Sequence, residues 1–170
     1  MPWLLRQIIK GRWYGPPEGP GSYQWVPEGE VQADVLGDFR TEQGTLSVWE
    51  IDEGCNNLEA VITALSSSRS NLQNLDYVLV EQEIVAGLGI KIEGIPGDTP
   101  YEAANQAWHR DLRHLTATHV ARLAFSCLRT GTSARVPRKH IARLLAEAVQ
   151  AKKLELSLMH ENLRREIGIP

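Results

Sequence analysis

The chain has little of what usually marks a specialised class. Only 2 of its 170 residues are cysteine, Cys55 and Cys127. They are too few for a disulfide scaffold and too far apart for a metal-ligand spacing, a usage that fits a reducing cytoplasm. No apolar run approaches the roughly 18 residues of a membrane span, so no membrane partner is expected. The opening segment, Met1 to Lys10, is interrupted by charge too soon to read as a secretion signal. There is no Gly-x-x-x-x-Gly-Lys phosphate loop, no Gly-x-Ser-x-Gly elbow and no glycine fingerprint opening a dinucleotide-binding unit, so no cofactor is implied. Phe occurs only 2 times, against 5 Trp and 4 Tyr. With 42% hydrophobic and 23% charged residues, the composition is otherwise that of an ordinary globular protein.

What is present is unevenly placed. The net charge of -3 conceals a split: residues 1–105 hold 6 Lys/Arg against 16 Asp/Glu, and residues 106–170 hold 12 against 5. Such halves can attract and dock on one another, or the basic one can face an anionic partner. The aromatics are also gathered early, with 7 of the 11 before residue 50. Four of them, Trp13, Tyr14, Tyr23 and Trp25, sit in Gly11–Gly29, a stretch of 19 residues holding 5 Gly and 4 Pro. Glycine and proline at that density argue against regular structure. Large rings in such a stretch point to an ordered loop pinned on a neighbouring surface, where they form either a compact aromatic core under the loop or, as Trp and Tyr do at contact surfaces, a partner- or ligand-binding face.

Periodicity supplies the elements. Residues 3–9 read as a short apolar helix, 22–26 as a weak strand and 31–39 as a strand broken near Gly37. Thr45–Ile51 alternates and is preceded by a turn at Thr41–Gly44; Leu75–Val80 is a second strong strand. Leu58, Val61, Ile62 and Leu65 predict a helix over 57–67, capped by Asn56 or Asn57. Residues 81–88 predict a short helix and 90–92 an edge strand. Thr99, Pro100 and Glu102 read as a capping box opening a long helix, whose stripe Ala104, Trp108, Leu112, Leu115, His119 and Leu123 runs to Gly131. A second long helix begins near Val136 or Pro137, with Ile141, Leu144, Leu145 and Ala148 on one face. The expected fold is α+β, with a small antiparallel or mixed sheet in the N-terminal part packed against a C-terminal hairpin of two long helices. Residues 1–97 form the acidic, aromatic-rich part and 98–170 the basic helical part of one compact domain.

Three constellations could carry function. His109, His114 and His119 are spaced by five, which rotates neighbours about 140° apart on a helix, so no metal site follows. Glu50, Asp52, Glu81 and Glu83 end two strong strands, and with His109 or Arg110 they could serve a small hydrolase or transferase if they converged in one cleft. Arg135, Arg138, Lys139 and Arg143 surround the junction of the two expected long helices and could receive an acidic partner or another anion. That cluster also admits a nucleic-acid contact, although no recognised nucleic-acid-binding motif accompanies it. Cys127 reads as a core thiol and Cys55 as an exposed loop residue whose acidic surroundings argue against nucleophilic use. No complete catalytic constellation is present. The expected function is therefore a cytoplasmic, non-enzymatic interaction or regulatory module. It would bind a protein partner through Trp13, Tyr14, Tyr23 and Trp25, with Arg135, Arg138, Lys139 and Arg143 supplying charge complementarity.

Overall fold

The computed structural model describes residues 1–13 and 29–169. The weak strand expected at 22–26 lies outside the described residues. Two strong expectations hold: Leu46–Ile51 is strand β2 and Leu75–Glu81 is strand β3. The first difference is at the start. Trp3–Ile8 forms strand β1 and not a helix. A short apolar run fits either element, and pairing decides between them. β1 is bonded on both sides, to β2 and to β3, and its Leu4 and Leu5 are buried on opposite faces of the sheet.

The elements that follow β1 are short helix α1 (Lys10–Trp13), a 3-10 helix at Ala33–Phe39, α2 (Leu58–Ser67), α3 (Gln82–Gly87) and edge strand β4 (Lys91–Glu93). The strand expected at 31–39 is thus helical; Val35 and Phe39, four apart, turn to the same buried cluster. At the expected turn, Gln43 and Gly44 both take left-handed φ (50° and 72°) and close a bridge between Glu42 and Thr45. That pair of dihedrals is the geometry of a tight two-residue hairpin turn.

The long helix expected from residue 99 is divided. α4 (Glu102–Trp108) stops at His109, β5 (His109–Arg113) joins the sheet between β2 and β4, and α5 (Ala117–Thr130) follows. Leu112 satisfies its burial in the strand as well as it would in a helix, and bonding to the open edge of β2 outweighs the helical spacing. Thr99 accordingly does not cap a helix; its hydroxyl donates to Asn105 Oδ1 at 2.6 Å, and Asn105 Nδ2 returns a bond to the Thr99 carbonyl.

Strand β6 (Thr132–Val136) then pairs with β3, and α6 (Arg138–Gln150) and α7 (Glu161–Glu166) complete the chain. The result is an α+β fold with one antiparallel sheet of six strands, ordered β4-β5-β2-β1-β3-β6. The two long helices do not form a hairpin. β6 lies between them in the chain, and they cover opposite faces. Leu123, Ala124 and Cys127 of α5 join Leu4, Val48, Val78 and Phe39, whereas Ile141, Leu144 and Leu145 of α6 join Leu5, Trp49, Ile51 and Tyr77. One layer therefore comprises α2, α4, α6 and α7, and the other α3, α5 and the 3-10 helix. Strands from both charge segments share the sheet.

The sheet has one internal irregularity. β1 pairs with β3 along Trp3–Ile8, but with β2 only along Trp3–Leu5. Beyond that point β1 and β2 part. Arg6 bridges the gap: its Nη1 donates to the Ser47 carbonyl and its Nε to the Asp38 carbonyl, both at 2.8 Å.

Candidate functional site

The basic cluster is largely met by acids of the same chain. Arg135, on β6, makes a two-pronged bond to Asp76 of β3, with Nε to Oδ1 at 2.7 Å and Nη2 to Oδ2 at 2.8 Å. These bonds hold its guanidinium above its ordinary pKa. Arg143 donates to Glu147 at 2.8 Å and to Glu59 at 3.2 Å, which raises it likewise. The Arg138 amide donates to Asn74 Oδ1, and its side chain stands 3.5 Å from Glu166. Lys139 is exposed and makes no ion pair among the described residues. Asp76 and Glu59 belong to the acidic segment, as do Glu50 and Glu93, which pair with Arg110 and Arg113. The charge split of the sequence thus closes on itself in exposed and half-buried pairs, each of modest energetic weight.

The aromatic stretch divides. Tyr14, Tyr23 and Trp25 lie outside the described residues. Trp13 is 2% exposed and packs against Phe39, so it stands in the interior and presents no face to a partner. Its indole Nε1 donates to Asp38 Oδ2 at 2.7 Å. The same carboxylate accepts from the Ile9 amide at 2.8 Å and from Arg12 Nη1 at 2.9 Å. A buried carboxylate on the 3-10 helix that holds one donor just after β1 and two on α1 is a clasp: it fixes the end of β1, α1 and the 3-10 helix together.

Comparison of the chain with protein-family models, curated proteins and solved structures gives no match. Its chemistry has to be read from its own geometry.

The strand-end acids do not assemble with His109. Residues alternate across a sheet, and register pairs Trp49 with His109 on one face and Val48 with Arg110 on the other. Glu50 accepts from Arg110 Nε at 3.0 Å, and Asp52 Oδ1 accepts from the Asn56 amide at 2.8 Å, bracing the turn into α2. His109 instead lines a cleft of about 420 Å³ that contains none of Glu50, Asp52, Glu81 or Glu83. The other histidines are also apart from it: His119 exchanges capping bonds with Thr116 at the start of α5, and His114 is exposed at a left-handed turn. Among the described residues no group of acids, histidines and cysteines could hold a metal, and no helix is long and apolar enough to cross a membrane.

The cleft lies where β1 and β2 part; its lining includes Arg6, Arg12 and Asp38, which are joined by hydrogen bonds, the packed pair Trp49 and His109, and Asp98. Sequence reasoning weighed His109 but overlooked Arg6, Asp38 and Asp98. The available signal was a single charge, Arg6, inside the apolar run Trp3–Ile9.

The cysteines divide by burial. Cys55 is exposed, whereas Cys127 is buried in the second layer and burial pushes its thiol up to about 12. A thiol reagent at neutral pH should therefore modify one equivalent in the native protein, at Cys55, and two after unfolding; peptide mapping of the labelled protein checks this. The unfolded thiol releases its proton near about 8.5, so the stability linked to Cys127 is intact below that pH and is lost as pH rises toward about 12.

Proposed function

We propose that this protein is a non-enzymatic interaction module that recognises a protein partner through the Tyr14–Trp25 segment. The observation supporting this reading is the Asp38 clasp. The residues immediately before the segment, Arg12 and Trp13, are tied to a buried carboxylate, which fixes the chain where the aromatic Gly/Pro segment begins. A fixed starting point lowers the ordering cost that a binding loop would otherwise incur on association. Trp13 serves this attachment, leaving Tyr14, Tyr23 and Trp25 as the contact residues. Arg138 and Lys139, the less committed cations of the basic cluster, supply steering charge. The dispersal of the strand-end acids argues against the hydrolase or transferase alternative, and the internal pairing of Arg135 and Arg143 argues against a nucleic-acid surface.

The test is affinity capture from the native host, identification of the captured protein, and titration of that purified protein. Combined Tyr23→Ala and Trp25→Ala substitution should weaken binding by roughly 30-fold or more, the effect of losing an aromatic anchor worth about 2 kcal/mol, with unchanged thermal stability. Equal affinity of the variant and the parent would remove the segment from the interface.

A further inference from the structure

We propose that the cleft at the parting of β1 and β2 binds a small zwitterion that carries a carboxylate and an ammonium group close together, as a free α-amino acid does. The inference stands apart from the loop and its partner. It starts from His109, which is 8% exposed and held from three directions. Its Nδ1 lies 2.7 Å from the Ile95 carbonyl. A carbonyl only accepts, so Nδ1 carries the hydrogen and Nε2 is the acceptor of the neutral ring. Trp49 packs edge-on against the imidazole, with centroids 5.2 Å apart. Gly97 closes the third side: a Cβ there would stand 3.1 Å from the His109 Cδ2. With the ring so fixed, Nε2 is left without a partner among the described residues, yet it is not sealed from solvent. A nearly buried acceptor that borders a cleft and has no donor is a place for a ligand's N–H.

The cleft supplies the other pole as well. The Arg6 side chain is half-buried and gives its two hydrogen bonds to main-chain carbonyls, not to a carboxylate. Asp38 is the nearby acid, but its oxygens are already taken by Ile9, Arg12 and Trp13. Two arginines around one carboxylate leave one positive charge in excess, and desolvation pulls Arg6 below its ordinary pKa despite the field of Asp38. A ligand carboxylate at this side would offset that charge. Asp98 is exposed, makes no ion pair among the described residues and borders the same cleft as His109, so the two acceptors suit an ammonium. A cleft of about 420 Å³ lies within the range that encloses small ligands.

The experiment uses the full chain, labelled with nitrogen-15, and follows the amide signals of Leu5, Ser47 and Thr99. The probes are free α-amino acids, with the corresponding carboxylic acids lacking the amine and amines lacking the carboxylate as controls. At least one amino acid should give saturable shifts at these amides and at the His109 imidazole, while its one-ended controls should bind at least tenfold more weakly. His109→Gln and Asp98→Asn should each weaken binding about tenfold or more. Asp98 is exposed, so Asp98→Asn decides the matter should His109→Gln fail to fold. Absence of saturable shifts with every amino acid, controls that bind equally well, or unchanged affinity in Asp98→Asn would each overturn the proposal.

Discussion

Asp38→Ala should lower the thermal midpoint by roughly 6–20 °C and expose the Trp13 indole to water. The Arg12 pair contributes little of this, because the arginine side chain is 42% exposed. The weight falls on what stays buried. The Ile9 amide and the Trp13 Nε1 both lose their acceptor, and the half-buried Arg6 guanidinium loses the carboxylate whose field supports its charge. Removing one partner of a buried charged network costs about 3–5 kcal/mol, and each kcal/mol is worth about 2–4 °C in a chain of this length. Asp38→Asn keeps one oxygen for the two neutral donors and should fall between the parent and the alanine variant. Calorimetry gives the midpoint and a red shift of tryptophan emission reports the local change. A melting temperature unchanged in Asp38→Ala would mean that the clasp does not hold Arg12 and Trp13 in place, and the proposed binding role of the 14–25 segment would lose its support.

The clasp also shows where sequence patterning reaches its limit. β2, α2 and β3 were legible from local pattern: Thr45–Ile51 alternates, Leu58, Val61, Ile62 and Leu65 fall at helical spacing, and Leu75–Val80 is a short run rich in strand-forming residues between polar segments. β1 was not, because six residues with apolar side chains on both faces carry no period, and only bonding to two neighbours identifies them as a central strand. The segment 109–113 was misread for a related reason: Leu112 occupies a helical stripe position and an inward strand position at once, and the free edge of β2 settles the choice. The site was less legible still. His109 owes its orientation to a carbonyl 14 positions earlier and to a tryptophan on another strand. Asp38 owes its role to donors more than 20 positions away. Such pairings leave no mark in local composition. The charge split, by contrast, was visible, and the ion pairs joining Asp76 to Arg135 and Glu59 to Arg143 give it a place in the fold.

Gly131→Ala should cost about 3 kcal/mol, the upper end for forcing a methyl into a packed site, and should lower the midpoint by roughly 6–12 °C. The backbone dihedrals are not the reason: with φ -71° and ψ 151° the residue is extended, as any L-residue can be. Space is the reason. A Cβ at position 131 would overlap the Cys127 carbonyl oxygen and would stand 2.7 Å from Val78 Cγ2 and 3.0 Å from the Leu79 carbonyl oxygen. Two of these three atoms are main chain and cannot swing aside. The Gly131 amide also closes the last turn of α5 on Cys127, and the next residue, Thr132, already pairs with Leu79 of β3. Gly131 is therefore the point at which the chain leaves one layer, touches the sheet and sets out for the other. A methyl there has to lift either the end of α5 or the start of β6 from β3. Hydrogen exchange should accordingly quicken along Thr132–Val136 in the variant. Thr132→Ala, one residue on and exposed, should stay within about 0.5 kcal/mol of the parent. Equal stability of Gly131→Ala and Thr132→Ala would show that α5 and β6 do not meet β3 as closely as described, and the assignment of α5 and α6 to opposite layers would have to be redrawn.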